Sequence, residues 1–187
     1  MSDREEQQGH RFHSSPDRLR SPERVALLQV ERMIDRSLEG LHAETMLEVG
    51  TGTGLLAEGF AARGLQVTGV DINPEMLAIA RRLVPQGAFC AAAAEALPCL
   101  EDAFDLVLLG LVLHETDDPV RALREARRAA RQRVVALEWP YRADSHGPPL
   151  AHRLQPAQVM ALAEQAGFPE PVRLIELSHT VLYCLNA

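Results

Sequence analysis

The feature that most restricts the fold is Leu47-Glu48-Val49-Gly50-Thr51-Gly52-Thr53-Gly54, alternate glycines set between an apolar run and a helical pattern. Glycine lets a backbone turn sharply and leaves room above it, and the following helix start offers free N–H groups. The segment therefore predicts a strand, a tight turn and a helix, with space for a ligand against the turn. A plain turn with no ligand satisfies the same spacing, so the glycines need a second signal. It comes from Asp71, which ends the next apolar run 21 residues after Gly50. A nucleoside-binding fold places an acid there for the ribose hydroxyls, because a carboxylate suits two hydroxyl donors.

The rest of the chain continues the alternation. Short β-like runs cover Thr45 to Val49, Gln66 to Val70, Ala88 to Ala91, Phe104 to Leu109 and Arg133 to Leu137. Helical patterns lie between them at Gly54 to Ala62, Pro74 to Leu83 and Pro119 to Ala130. Near-continuous apolar strands alternating with helices predict a doubly wound α/β fold, a mostly parallel sheet covered on both faces. Pro156 to Ala166 reads as a last helix stopped by Gly167. Val172 to Leu177 and Thr180 to Leu185 then have only Ser178-His179 between them, which permits an antiparallel hairpin and forbids a parallel crossover. Upstream, Ser21-Pro22-Glu23 supplies an N-cap, a first-turn proline and an acid for a helix running to about Gly40. Residues 1–20 read as a flexible polar arm and residues 21–187 as a single domain.

Composition removes several function classes. All 19 basic residues are arginine, so no lysine is present for a P-loop, a kinase site or a Schiff base. A net charge of −7 disfavours a phosphate-backbone partner, and the stripe Arg121, Arg124, Arg128 and Arg131 reads as a solvated helix face. Cys90, Cys99 and Cys184 have no metal-ligand spacing and suit a reducing compartment. With no apolar run long enough for a membrane span or signal peptide, a cytoplasmic chain without a membrane partner is expected. No metal is expected; His10 and His13 sit in the polar arm and receive no role.

A nicotinamide enzyme uses the same ribose acid, but its fingerprint wants glycine at the sixth position of the turn, where this chain has Leu55. Gly50-x-Gly52-x-Gly54 preceded by Glu48 instead resembles the first motif of class I S-adenosylmethionine-dependent methyltransferases. Val70-Asp71-Ile72-Asn73-Pro74-Glu75-Met76 resembles their second motif, Glu95-Ala96-Leu97-Pro98 the segment before the fourth strand, and Phe104-Asp105-Leu106-Val107 that strand. The resemblance runs from about Ser21 to the C-terminus. Arg11-Phe12, Leu19 to Arg24, Gly147-Pro148-Pro149 and His152-Arg153-Leu154 also look like short type 11 methyltransferases.

The resemblance implies a seven-stranded Rossmann-like methyltransferase sheet and S-adenosylmethionine as cofactor. It implies Glu48 near the cofactor's ammonium and the turn Gly50, Thr51, Gly52, Thr53 and Gly54 beneath its methionyl and ribose portions. Asp71 then takes the ribose and Ile72 the adenine face, while Ala94, Glu95 and Leu109 complete the cofactor set. The chain departs from the family at Ala93, where an acid often accepts from the adenine amino group; a backbone N–H of Ala94 or Glu95 is left to bind that edge, with weaker affinity.

Methyl transfer from a sulfonium needs alignment and exclusion of water rather than a covalent catalyst. A base is needed only where the nucleophile must lose a proton. His114, just past the fourth strand at the edge where open α/β sheets bind ligands, is the candidate, with a hydrogen-bonded wall residue as its other reading. Glu138 and Trp139 end the fifth strand at that edge and Arg153 follows, all candidates to line the acceptor site; Trp139 packed under the proline-rich loop fits equally well. Pro98-Cys99 precedes the fourth strand and is not a cytosine-type nucleophile. The expected activity is methylation of a small molecule. An NAD-linked oxidoreductase and a non-catalytic cofactor-binding protein remain open beside it.

Overall fold

A computed structural model describes residues 15–169 and 171–187. Arg11, Phe12, His10 and His13 lie outside the described residues. Strands β1 (Thr45–Val49), β2 (Gln66–Asp71), β3 (Ala88–Ala91), β4 (Phe104–Gly110), β5 (Ala130–Glu138), β6 (Arg173–Glu176) and β7 (Val181–Asn186) form one sheet. Their order is β3-β2-β1-β4-β5-β7-β6. The pairs among β1 to β5 are parallel, and β7 runs antiparallel to both β5 and β6. This is the doubly wound sheet with a terminal hairpin that the strand spacing predicts.

Period-two alternation divides the core between the two faces. Met46, Val67, Leu106, Leu108, Val135 and Leu137 point to one side, against α3 (Val30–Leu38), α4 (Leu55–Ala62) and α5 (Pro74–Leu83). Leu47, Val49, Val107, Leu109, Val134 and Ala136 point to the other, against α6 (Pro119–Ala129) and α7 (Pro156–Gln165). The two helices that follow site-bearing strands start on well-made caps: Asn73 accepts from the N–H groups of Glu75 and Met76, and Asp118 from that of Arg121. These caps fix where the chain leaves the sheet after Asp71 and after the turn beyond β4.

Two expectations change. The single helix from Ser21 to about Gly40 is broken at Gln29, whose φ of 48° ends α2 (Pro22–Leu28) and starts α3. The break brings Leu28, Val30, Met33 and Ile34 into one cluster, and the Gln29 side-chain oxygen accepts from the N–H of Ser178 at 3.1 Å. The last part of the arm expected through residue 20 forms a one-turn helix, α1 (Pro16–Leu19). It is held because Arg20 donates to the Thr53 carbonyl at 2.9 Å and pairs with Glu58. The arginine stripe is likewise more than a solvated face: Arg124 donates to the Gln165 carbonyl, Arg128 to those of Leu97 and Cys99, and Arg131 to that of Asp102.

At the amino edge of the sheet, Asp105 ties β4 to the start of β1. Its carboxylate accepts from the N–H groups of Glu44 and Thr45 at 3.0 Å each, from the Thr45 hydroxyl at 2.9 Å and from Gln132 at 3.2 Å. Burial alone would raise its pKa, but these donors hold the carboxyl well below the usual carboxylate range. Asp105→Asn is expected to lower stability at pH 7 by about 2 kcal/mol in urea unfolding. Because the native carboxyl stays ionised to lower pH than the unfolded one, that deficit should shrink as pH falls below about 4.

Candidate active site

The turn between β1 and α4 is built on left-handed glycines, with φ of 73° at Gly50, 51° at Gly52 and 76° at Gly54. Side chains rarely tolerate that backbone, and space is a second restriction at Gly50, where an added Cβ would lie 2.8 Å from Val112. Gly52 is more open: its nearest neighbour on that side is Leu19 of α1, 3.7 Å from an added Cβ. The turn is moored to β2 by the N–H groups of Gly50 and Thr51, which both donate to the Val70 carbonyl.

Beneath the turn lies Glu48, 2% exposed on the Met46 face of β1. One carboxylate oxygen accepts from the Thr51 hydroxyl at 2.8 Å and from the Ala57 N–H at 2.9 Å. The other lies against Gly110, where an added Cβ would come within 3.3 Å of it. Burial pushes this carboxyl up to about 8, against the opposing pull of its two donors. A positive group brought to the free oxygen would favour ionisation. Thr53 is also buried, and its hydroxyl has no hydrogen-bond partner among the described residues.

Asp71 stands at the mouth of the turn. It accepts from the Gly52 N–H at 2.7 Å and from the Asn73 N–H at 2.8 Å, one bond to each oxygen. A carboxylate offers about four lone-pair directions, so acceptor capacity remains for hydroxyl donors. Ile72 follows at 53% exposure, an uncovered apolar surface beside the carboxylate. Ala94 is buried, and Glu95 is turned toward the chain after β4, accepting from the N–H groups of Asp117 and Asp118. Leu109 is fully buried in the core behind the strand ends and presents no surface to a ligand.

The chain beyond β4 turns at Leu111, with a φ of 60°, and enters a short 3-10 turn over Leu113–Glu115. His114 in this turn is paired with Glu138 at the end of β5: Nδ1 to Oε2 is 2.7 Å, and the His114 N–H reaches the other oxygen at 3.3 Å. Both side chains are buried, at 4% and 1% exposure. Burial pulls the imidazole pKa down, but Glu138 and then Glu115 outweigh it, leaving His114 above its ordinary value. Because the carboxylate only accepts, it fixes the proton on Nδ1 and makes Nε2 the basic nitrogen. Glu138 thus holds His114 rather than facing an acceptor, a pairing that sequence spacing alone did not disclose.

The two remaining acceptor-lining candidates sit behind the surface. Arg153 is 5% exposed and donates to the carbonyls of Pro140, Arg142, His146 and Pro148, which clamps the 140–155 loop. Trp139 is 5% exposed, with Gly147 so close that an added Cβ would meet its ring at 2.5 Å. The guanidinium groups of Arg24 and Arg153 each lie 6.0 Å from its ring centroid. Beside this loop a cavity of about 420 Å³ is lined by Pro140, Tyr141, Leu174, Val181 and Tyr183. The Tyr183 hydroxyl is buried without a partner among the described residues.

An α/β sheet whose glycine turn, buried acid and ribose-type carboxylate all meet at one edge defines a Rossmann-like nucleoside-binding protein. Comparison with known proteins narrows the class. Residues 47–136 match the family model described as a methyltransferase domain. Over those residues the chain carries a methyltransferase domain.

It is 37% identical over 94 residues to a demethylmenaquinone methyltransferase of Chlorobaculum parvum, covering 50% of this chain and 39% of that one. It is 36% identical over 156 residues to a malonyl-[acyl-carrier protein] O-methyltransferase of Halorhodospira halophila, covering 78% and 50%. The chain therefore spans half or less of the length of these curated relatives. In fold it is similar to a SAM-dependent methyltransferase from Aquifex aeolicus, with a TM-score of 0.78 at 20% identity over 93% of this chain and 99% of that one. The [4+2]-cyclase SpnF also shares the fold, with a TM-score of 0.66 at 23% identity over 88% and 64%.

The histidine–carboxylate pair generates a direct test. In an NMR titration, the His114 imidazole should titrate above the usual value near 6.5, and Glu138→Gln should bring it down. A wild-type and variant resonance titrating together would contradict the pairing.

Proposed function

We propose that the chain binds S-adenosylmethionine at the glycine turn and transfers its methyl group to a small-molecule acceptor. The observation that carries this reading is the donor and acceptor set around Gly52. A buried carboxylate with one free oxygen, an open left-handed turn, and Asp71 beside the exposed Ile72 match an ammonium, a backbone-hugging chain, ribose hydroxyls and an adenine face in turn. Bound there, the cofactor supplies a methyl group on a sulfonium, open to displacement by a nucleophile in line with the C–S bond.

The protein's own part is positioning and proton handling. Glu48 neutralises the ammonium, and Asp71 orients the ribose while its bond to Gly52 keeps the turn in shape. His114, held by Glu138, takes the proton of an acidic acceptor group at Nε2. Trp139 and Arg153 support the acceptor side from behind by fixing the 140–155 loop, and Leu19 of α1 closes the side near Gly52. The cavity beside the loop, where Arg142, Gln155 and Glu176 join the apolar lining, suits a small acceptor with both apolar and polar groups. Residues 21–187 act as one domain in this reading, and no nucleic-acid partner is part of it, since Arg124, Arg128 and Arg131 each donate to a backbone carbonyl. Among the described residues no helix is long and apolar enough to cross a membrane.

Both named curated relatives are methyltransferases, which favours this cofactor over a nicotinamide. That a [4+2]-cyclase shares the fold is the reason to measure turnover as well as binding. Calorimetry should show S-adenosylmethionine binding without NADH binding, and Asp71→Ala should weaken it by roughly 10- to 100-fold, the worth of a charge-assisted hydrogen bond. Titrations near pH 7 in buffers of different ionisation enthalpy should show proton release from Glu48, whose carboxyl is held at about 8 before the cation arrives. Glu48→Gln should abolish that release. Binding without methyl release to thiols, phenols or amines would instead support a non-catalytic role.

A further inference from the structure

Away from the glycine turn, the 140–155 loop meets the turn between β6 and β7 through three ligand-type side chains. Asp144 and His146 come from the loop and His179 from the turn. One potential ligand atom from each lies within 4.8 Å of the other two. Asp144 Oδ1 is 3.1 Å from His146 Nδ1, and its Oδ2 is 3.3 Å from His179 Nδ1. The two imidazoles meet edge to face with centroids 5.2 Å apart.

Both Asp144 contacts are hydrogen bonds, but they are looser than a tight ion pair. His114 and Glu138 show the latter at 2.7 Å, whereas both contacts of Asp144 are longer than the roughly 2.7–2.9 Å of charge-assisted bonds. Ligands about 2.1 Å from a tetrahedral ion are separated by about 3.4 Å, close to the two distances observed. The donor set is also selective. Two imidazoles and one carboxylate suit a first-row transition dication over calcium or magnesium, which prefer all-oxygen shells. Both histidines are open to solvent, at 47% and 37% side-chain exposure, while Asp144 is more protected at 14%.

We propose that Asp144, His146 and His179 bind a first-row transition dication, with zinc the best fit, and that the ion latches the 140–155 loop to the β6–β7 turn. Each imidazole carries its proton on Nε2 in the bound form, which frees the Nδ1 lone pair for the ion; a fourth position is left for water or an exogenous ligand. The loop and turn already meet through Arg142, which donates to the Ser178 carbonyl at 2.5 Å, and through the Asp144–His179 contact, so the ion would reinforce an existing junction without remodelling the loop. The Arg142 guanidinium, with Nε 4.0 Å from Asp144 Oδ2, is the competing cation: its charge opposes the ion while its bond to Ser178 stays in place. Arg142→Gln should therefore strengthen metal binding.

The test is zinc calorimetry on untagged, chelator-treated full-length protein, with cobalt absorption as a reporter of tetrahedral geometry. Wild type should bind one ion at this site and gain thermal stability. His179→Ala and Asp144→Asn should each weaken binding at least tenfold while keeping the metal-free melting temperature and circular dichroism spectrum. His42→Gln, at the opposite edge of the sheet, should change nothing. Absence of zinc binding by wild type, or equal binding by His179→Ala and Asp144→Asn, would overturn the proposal.

Discussion

The site depends on a carboxylate buried where a carboxylate is costly. Glu48 sits under the glycine turn, and the only donors that reach it among the described residues, the Thr51 hydroxyl and the Ala57 N–H, satisfy one of its oxygens. Through them the end of β1, the turn and the first turn of α4 become one unit. The other oxygen, against Gly110, keeps its acceptor capacity and its desolvation cost. A hydrocarbon of the same size would pack there more cheaply, so the acid is best explained by a cation that it meets from the cofactor side.

The acceptor side follows a parallel logic. In the sheet order, β4 lies beside β5, so the turn that leaves β4 passes over the end of its neighbour. That geometry delivers His114 onto Glu138 and lets a short, well-aligned pair form between residues 24 apart in sequence. Arg153 performs a different task, donating to four carbonyls of the 140–155 loop and so fixing its path. The two roles are thus separated: Glu138 holds the His114 imidazole, which we propose as the proton acceptor, while Arg153 clamps the 140–155 loop.

Much of this was legible in the sequence because it rests on local signals. The five parallel strands, the two-residue hairpin connection and the glycine turn are each written within a few consecutive residues, and Asp71 follows from the fixed length of a strand–helix–strand unit. What was not legible depends on contacts across the chain. The break at Gln29 carries no glycine or proline to mark it, and its side-chain partner is Ser178, 149 residues away. Glu138 reads as an edge acid until β4 and β5 are known to be neighbours; that adjacency was the available signal. Arg153 reads as a binding residue because its carbonyl partners have no sequence signature. The His179–Asp144 contact spans 35 residues and two loops, beyond any motif spacing.

The account is tested most directly by a crystal structure grown with S-adenosylhomocysteine, the demethylated product of the proposed cofactor. The nucleoside should lie across Gly50 to Gly54 with its ribose hydroxyls on Asp71, its adenine against Ile72 and its ammonium at the free oxygen of Glu48. A nucleoside bound elsewhere, or one that leaves Asp71 and Glu48 untouched, would contradict it.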